Sequence, residues 1–575
     1  MDESHLSVWV KSIYLSIIKK NYGIMRNKII IALSLVFTLF SPENKACTNF
    51  IITKGASSDG SVMISYAADS HVLYGELYFF PAKDYPIGAM LDVVEWDTGK
   101  PLGKIKQVRH TYNVIGNMNE NQVAIGETTF GGREELLDTT AIVDYGSLIY
   151  IALQRSKTAR QAIHVMASLV AEYGYASEGE SFSISDKNEA WILEMIGKGP
   201  GRKGAVWVAR RIPDGYICGH ANQARITTFP LKDTMNCLYA KDVITFAKEK
   251  GYFKGNDKDF SFADAYCPLK FDGVRFCDAR VWAMFRKVNN DMDKYYDYIK
   301  GENLANRMPL WIKPDRKVSL QDMMGFMRDH LEGTPLDMSK DFGAGPYGLP
   351  YRWRPLTWKV DTTAYCNERT VATQQTGFSF IAQSRSWITD RIGGIIWFGV
   401  DDAASTVYTP MYTCMTKVPE TFAVGNGNML TYSDNSAFWA FNFVANFCYL
   451  RYNTMIEDVK KVQAELESNY IANTAKIDET ALAMYNNDPG SAVAYLTDYS
   501  VKSGNQTVYR WKDLGHYLLV KYIDGNIKKE KDGKFARNPY GIPVAPSQPG
   551  YPEWFRKKIV EDTGDKLKVT GEKSH

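Results

Sequence analysis

Cys47 opens a short β-prone run, Thr48 to Thr53, directly behind an apolar leader, and that placement limits what the chain can become. Residues 29–40 form a 12-residue apolar run, with Arg26 and Lys28 before it, Ser41-Pro42 breaking it and Ala46 ending a short polar segment. A basic region, an apolar stretch and a small residue, in that order, make an export signal. The run is too short for a membrane span of about 20 residues. Met25 stands just before the basic pair, so residues 1–24 are read as an over-extended N-terminus and 25–46 as the leader. Asn44 occupies the position three before the cut, where a small residue is preferred. Either the signal-peptidase site is weak, or trimming nearby is followed by self-cleavage between Ala46 and Cys47. Cleavage there leaves Cys47 as the first residue, with a thiol nucleophile and an α-amine base on one residue. The rival is a lipid-modified cysteine, but Asn44-Lys45-Ala46 lacks the apolar residue expected three before an acylated one.

A length of 575 residues allows about three domains, or one large domain with additions. The 68 basic and 65 acidic residues nearly cancel, which excludes the long-range field of a nucleic-acid binder. The lysines of the C-terminal stretch are diluted by Glu and Asp and read as solvated surface. Of eight cysteines none forms a C-x-x-C pair, so zinc ribbons and thioredoxin-like chemistry gain no support. No His-Glu-x-x-His spacing appears either, and neither metal nor cofactor is expected. Export would leave pairing among the cysteines open; with Cys47 set aside seven remain, so at least one other stays unpaired. A papain-like pair of Cys47 with His220 or His330 is the His-based alternative, and the residues around Cys47 do not carry that family's signature.

After Cys47 the pattern is strand, Gly55 to Gly60 turn, and a second strand from Val62, with Asp69 just past it. An acid there can orient a protonated amine or set the thiol's surroundings. A second hairpin is predicted over 112–130, ending in Gly126-Glu127-Thr128-Thr129-Phe130-Gly131-Gly132, whose polar residues either line a pocket or finish a strand. Apolar spacing predicts helices over 145–155 and 158–173, then a hairpin over 181–196 and a strand at 206–209. Sheet, two helices and sheet make a layered α+β sandwich with helices outside. Asn222 offers an amide donor for an oxyanion, or is a turn residue. Arg275 or Arg280, near a helix from Asp278 through Phe285, can supply a fixed positive charge. Ser319 caps a helix expected to Leu331, strands return over 376–384 and 394–399, and 455–483 is amphipathic helix. Asp488-Pro489-Gly490 breaks that region before helices at 491–502 and 511–523, and the last 50 residues read as an extended tail.

The ordered set Cys47-Thr-Asn-Phe-Ile-Ile, Ser58-Asp59-Gly60-Ser61, Asp69, Gly126-Glu-Thr-Thr129, Ala221-Asn222-Gln223, Arg280-Val-Trp282, Arg328-Asp-His-Leu-Glu-Gly-Thr-Pro335 and Gly393-Gly394 before Trp397 resembles the dipeptidase A family of cysteine peptidases. These are N-terminal-nucleophile hydrolases, more distantly similar to bile-salt hydrolases and penicillin V acylases. The resemblance implies a four-layer αββα fold over 47–420, with insertions. A helical part at 421–525 would pack on that core, with a basic tail at 526–575. It implies Cys47 as nucleophile, Asp69 as the acid, Asn222 at the oxyanion and Arg280 as the later arginine. Glu127, Thr128 and Arg280 become candidates for holding the substrate's charged ends. One departure stands out: many relatives carry Arg three residues before the Asp, where this chain has Tyr66.

The expectation is therefore an exported hydrolase, periplasmic or extracellular, that cuts dipeptides or short peptides. It would have no nucleic-acid partner and no stable membrane span once the leader is gone, with homo-oligomerisation left open. Two alternatives are an amidase of the same fold acting on N-acyl amides, and a lipid-anchored binding protein without activity.

Overall fold

Strand after strand in this chain is buried on both faces, which requires a packed layer on either side of each sheet. The computed structural model describes residues 47–571; the leader expected over 25–46, the segment 1–24 and residues 572–575 lie outside the described residues. The expected first hairpin is β1 (Asn49–Ile52) and β2 (Val62–Asp69), paired Ile51 to Ile64. There follow β3 (Phe79–Phe80), β4 (Val114–Ile115), β5 (Met118–Asn119) and β6 (Ala124–Gly131). Helices α1 (Tyr145–Arg155) and α2 (Ala159–Tyr173) come next, their first turns capped by the side chains of Asp144 and Thr158. Then come β7 (Gly179–Ser185), β8 (Ala190–Gly197), β9 (Ala205–Arg211), β10 (Ile217–His220) and β11 (Cys237–Tyr239). The middle of the chain gives α3 (Ala279–Arg286), β12 (Trp311–Ile312) and α4 (Leu320–Met327). Strands β13 (Thr376–Ser384), β14 (Gly394–Val400) and β15 (Thr409–Tyr412) precede the long helices α5 (Ala437–Tyr449), α6 (Tyr452–Asn487) and α7 (Pro489–Tyr522).

Two large antiparallel sheets result, beside four two-stranded ones among the described residues, so the class is α+β. One has seven strands in the order β12-β10-β1-β2-β13-β14-β15; the other has eight, in the order β11-β9-β8-β7-β6-β5-β4-β3. Period-two alternation divides each strand between two cores. In β8, Ala190, Ile192 and Ile196 join Ile64, Tyr66 and Phe380 from the seven-stranded sheet, while Trp191, Leu193 and Met195 pack with Ile163, Met166 and Leu169 of α2. In β2, Met63 and Ala67 face the other way, toward Trp282 of α3 and Phe326 of α4. Full burial of one such aliphatic side chain stabilises by about 1.5–3 kcal/mol.

Several local expectations shift. The hairpin predicted over 112–130 holds a further short strand, β5, between its two arms. The helix capped by Ser319 stops at Met327, because the next residues turn on themselves: Leu331 has φ +64°, and its N–H donates to Asp329 Oδ1 at 2.8 Å. The break at Asp488-Pro489 separates α6 from α7 as expected, Asp488 capping Gly490 and Ser491 and Pro489 taking the first-turn position that needs no N–H, but the two helices expected after it are one 34-residue helix. In the tail, Glu553–Thr563 is helical, with Phe555 stacked on Phe342 at 6.3 Å. All eight cysteines are free thiols. No helix among the described residues is long and apolar enough to cross a membrane.

Burial also sets a pH response. Asp401 follows β14 with φ +64°; its Oδ1 accepts from Asn442 Nδ2 at 2.9 Å and its Oδ2 has no hydrogen-bond partner among the described residues. Burial pushes its carboxyl up to about 8, that of Glu194 to about 7 and that of Asp69 to about 6. A carboxyl whose folded pKa is raised binds its proton more tightly when folded. Its contribution is therefore complete below the unfolded value near 4 and is lost as pH rises through the folded one. Tm is expected to fall from pH 5 to pH 8. Asp401→Asn, which keeps the Oδ1 acceptor and suits a positive φ, should shrink that fall by at least about 2 °C in calorimetric scans. An unchanged fall would show that Asp401 does not titrate in this range.

Candidate active site

Cys47 is locked to β2 by a bridge between Thr48 and Ala67, with N–H···O distances of 3.2 and 3.0 Å. Its thiol is buried, 3.5 Å from Glu127 Oε1 and 3.7 Å from the Tyr66 hydroxyl. Tyr66 donates to the same Glu127 oxygen at 2.5 Å, and its ring stands edge-on to Phe378 and Phe380. Burial, then the charges of Glu127 and Asp69, push the Cys47 thiol well up; a backbone hydrogen bond from Asp69 and the Tyr66 hydroxyl pull the other way. The thiol therefore needs a base beside it to ionise near neutral pH.

Glu127 is also fully buried, and burial raises its carboxyl. Its Oε2 has no hydrogen-bond partner among the described residues. Glu180, opposite Thr129 on β7, interacts with Glu127 through its side chain and accepts from Thr129 Oγ1 at 2.7 Å. The Asn49 amide holds Glu127's backbone from both sides, donating to its O at 2.9 Å and accepting from its N at 3.1 Å. Gly126 permits this approach: a Cβ there would lie 2.6 Å from the Asn49 side-chain amide and 3.2 Å from Tyr66 Cβ. Thr128 serves a different layer. Its hydroxyl meets His220 Nδ1 at 2.7 Å, and Ser183 meets His220 Nε2 at 2.7 Å. His220 is thus spent between the sheets, and burial pushes it down to about 3. His330 contacts Glu332 and Tyr351, so neither histidine pairs with Cys47.

Arg280 ties two elements of the site together. Its Nη1 donates to Cys47 O and Thr48 Oγ1, both at 2.6 Å; its Nη2 donates to Ala221 O at 3.0 Å and Asn222 Oδ1 at 2.8 Å; its Nε donates to Phe276 O at 2.8 Å. A guanidinium has five N–H donors, and all five are used. Arg280 is therefore placed as a positioning group for Cys47 and Asn222, with no donor left for a substrate. Asn222 sits at φ +63°, a conformation Asn tolerates, and its Nδ2 donates to Thr129 O at 2.7 Å. That bond brings the loop after β10 against the end of β6.

Asp69 ends β2, fully buried. Thr376 Oγ1 donates to its Oδ1 at 2.7 Å and Arg369 Nη2 to its Oδ2 at 3.3 Å. A guanidinium charge beside Asp69 thus comes from Arg369, 300 residues downstream of it. Arg354 lies beside the same turn. Its Nε and Nη2 donate to Gln375 Oε1 at 2.9 and 2.6 Å, and Gln375 O accepts from Ser70 N at 3.0 Å. Arg275, the other arginine read from the sequence, pairs with Glu368 instead.

The structure gathers Cys47, Asp69, Glu127, Asn222 and Arg280 around one point and leaves Thr128 between the sheets. Glu180, Arg354 and Arg369 are additions. Glu180 was hidden because only strand register sets it beside Thr129; the two arginines were hidden in a stretch without periodic pattern. Among the described residues no group of three His, Cys, Asp or Glu gathers as a metal site would require.

Comparison with known proteins gives a consistent family signal. The family model described as peptidase family C69 matches residues 74–465, more than half of the chain. A probable dipeptidase of Latilactobacillus sakei is 25% identical over 476 residues, covering 79% of this chain and 91% of that protein. A probable dipeptidase of Salmonella dublin is 25% identical, covering 64% and 81%. A probable dipeptidase B of Streptococcus pyogenes serotype M1 is 23% identical, covering 88% and 98%.

Proposed function

The chain belongs to peptidase family C69, a family of peptide-bond hydrolases, and from that premise we propose that it is an exported dipeptidase whose nucleophile is the Cys47 thiolate. The paired sheets with helices on their outer faces fit the αββα sandwich of N-terminal-nucleophile hydrolases. Once the leader is removed, the Cys47 nitrogen becomes a free α-amine with a pKa of about 7.7–8, low enough to accept the thiol proton near neutral pH. The thiolate attacks the scissile carbonyl carbon and a tetrahedral oxyanion forms. Asn222 and a backbone N–H stabilise that oxyanion. The amine returns its proton to the leaving nitrogen, the C–N bond breaks, and water cleaves the thioester. Asp69, behind the thiol, orients the amine.

The observation that carries the choice of substrate is the Glu127 carboxyl, 3.5 Å from Sγ and with a buried oxygen that lacks a donor. In a dipeptide the free ammonium lies on the residue whose carbonyl is attacked, only about 2.5 Å from the reacting carbon. Glu127 and Glu180 can hold that ammonium. An N-acyl amide would set an apolar acyl group against the same buried carboxyl, at a cost of several kcal/mol. The related dipeptidases agree in name with the first reading.

The test pairs N-terminal sequencing of the exported protein with two assays. The expected result is an unmodified Cys47 terminus, turnover of free dipeptides, and turnover of their N-acetylated forms at least about 100-fold lower. A lipid adduct on Cys47, or faster cleavage of the acylated forms, would overturn the proposal.

A further inference from the structure

Along the inner face of β8 the alternation of Ala190, Ile192 and Ile196 is interrupted at Glu194. Glu194 is completely buried, opposite Ser181 on β7 and Val208 on β9. A carboxylate in such a place is costly unless hydrogen bonds hold it. Those bonds come from the loop after β10, the loop that carries Asn222. Glu194 Oε1 accepts from Arg225 N at 2.5 Å and from Ile226 N at 3.1 Å, and Oε2 from Ile226 N at 3.1 Å. Arg225 and Ile226 lie in no strand, so no sheet ladder answers these N–H groups. The Arg225 side chain then closes the loop on itself. Its Nη1 donates to Gly219 O at 2.8 Å and Leu310 O at 3.1 Å, and its Nη2 to Pro309 O at 2.8 Å. Its Nε pairs at 3.2 Å with Asp278, which stands two residues before Arg280. Arg280 thus grips the loop at Ala221 and Asn222, and Glu194 grips it at Arg225 and Ile226.

We propose that Glu194 is a positioning residue for the oxyanion amide: by holding the N–H groups of Arg225 and Ile226 it fixes the far end of the loop, and with it the place of Asn222 beside Cys47. The inference rests on the reading of Asn222 as the oxyanion donor and names the residue that sets its position. The bonds of Asn222 to Thr129 O and from Arg280 orient its side chain. The path of its backbone, at φ +63°, is left to the residues on either side. A carboxylate suits two consecutive N–H groups, because both of its oxygens accept and its charge strengthens each bond. A protonated carboxyl or a glutamine amide offers one free acceptor oxygen and turns a donor toward the other N–H. The groups that sense Glu194 are Arg225, Asp278 and the thiols of Cys218 and Cys267. Burial pushes its carboxyl up to about 7, against the pull of the two N–H groups and Arg225 and with the push of Asp278. The form that accepts both N–H groups is therefore lost as pH falls through about 7, and near neutrality the fold tolerates the uncharged form.

The test uses Glu194→Gln and two inhibitors made from the first residue of a dipeptide that is turned over. The α-amino aldehyde takes the Cys47 thiol across its carbonyl: the S–C bond forms, the C=O double bond becomes single, the thiol proton passes to the oxygen, and that oxygen occupies the oxyanion site. The matching amino alcohol binds without this step. Glu194→Gln is expected to lower kcat by about 10- to 100-fold, the range of a displaced oxyanion donor, with KM within about threefold. The preference for aldehyde over alcohol should fall by the same factor, while iodoacetamide alkylates Cys47 at a rate within about twofold of wild type. A role in holding the fold alone would move kcat, KM and alkylation together, and that outcome overturns the proposal, as does a variant that keeps its aldehyde preference. The wild-type enzyme supplies a second measurement that needs no variant: its preference for the aldehyde should weaken by about fivefold or more from pH 8 to pH 6, and a preference that does not weaken also overturns the proposal. Full aldehyde preference in Asn222→Ala would instead sink the oxyanion reading itself.

Discussion

Cys47→Ala is expected to lower kcat/KM on dipeptides by about 10⁴–10⁶-fold, the loss typical of removing a covalent nucleophile, with little change in Tm. The small effect on stability follows from the site. The thiol is pushed up by burial and by two neighbouring carboxyls, so it contributes no charge to the folded state. When Sγ is removed, Glu127 Oε1 still accepts from the Tyr66 hydroxyl at 2.5 Å, and the bridge between Thr48 and Ala67 is backbone only. The same reasoning gives a companion outcome. A protein expressed with Ala46 retained has an amide nitrogen at Cys47, not an amine, and amide nitrogen is no base. That form should be as inactive as the alanine variant while binding dipeptides normally. Calorimetry and a coupled amino-acid release assay check both. Substantial turnover by Cys47→Ala, or by the uncleaved form, would place the nucleophile elsewhere.

Whether a feature could be read from the sequence depended on how local its cause is. The helix over 159–173 declares itself through Thr158 as a cap and apolar residues at three- and four-residue spacing. The first hairpin follows from a β-prone run on either side of turn residues, and its register places Asp69 at the end of β2. Asp488-Pro489-Gly490 announced the break between α6 and α7, but nothing in 503–510 announced that the helix after it runs on unbroken to Tyr522. The site divides in the same way. Cys47 was legible because a basic pair, an apolar run and a small residue stand in front of it in that order. Arg369 and Arg354 were not, because nothing near them in sequence marks them; they reach Asp69 only because Thr376 pairs with it across two central strands of the sheet. The commitment of Arg280 to five protein acceptors was likewise invisible. The sequence supplies an arginine but not the carbonyls that will surround it.

That commitment makes Arg280→Lys the sharpest test of how the nucleophile is held. Lysine keeps the charge but has three donors on one nitrogen. It cannot span Cys47 O and Thr48 Oγ1 on one side and Ala221 O and Asn222 Oδ1 on the other. At least two buried acceptors lose a donor, which costs about 1–3 kcal/mol each. Tm should drop by several degrees without loss of the fold, because the backbone pairing of β1 with β10 and β2 does not involve the side chain. The kinetic loss should be larger than the thermal one. Displacing the nucleophile or the oxyanion amide by about 1 Å costs on the order of 100-fold, and losing an oxyanion donor costs about 10²–10³-fold. A fall in kcat of about 10²–10³-fold is expected, with KM within about threefold, since no N–H of Arg280 points to a substrate. The split between the two constants decides the role. If Arg280 held the substrate carboxylate, as its charge alone would allow, KM would rise and kcat would be largely kept. A fall confined to kcat instead assigns it to placing Cys47 and Asn222 relative to each other, across the 233 residues that separate it from Cys47.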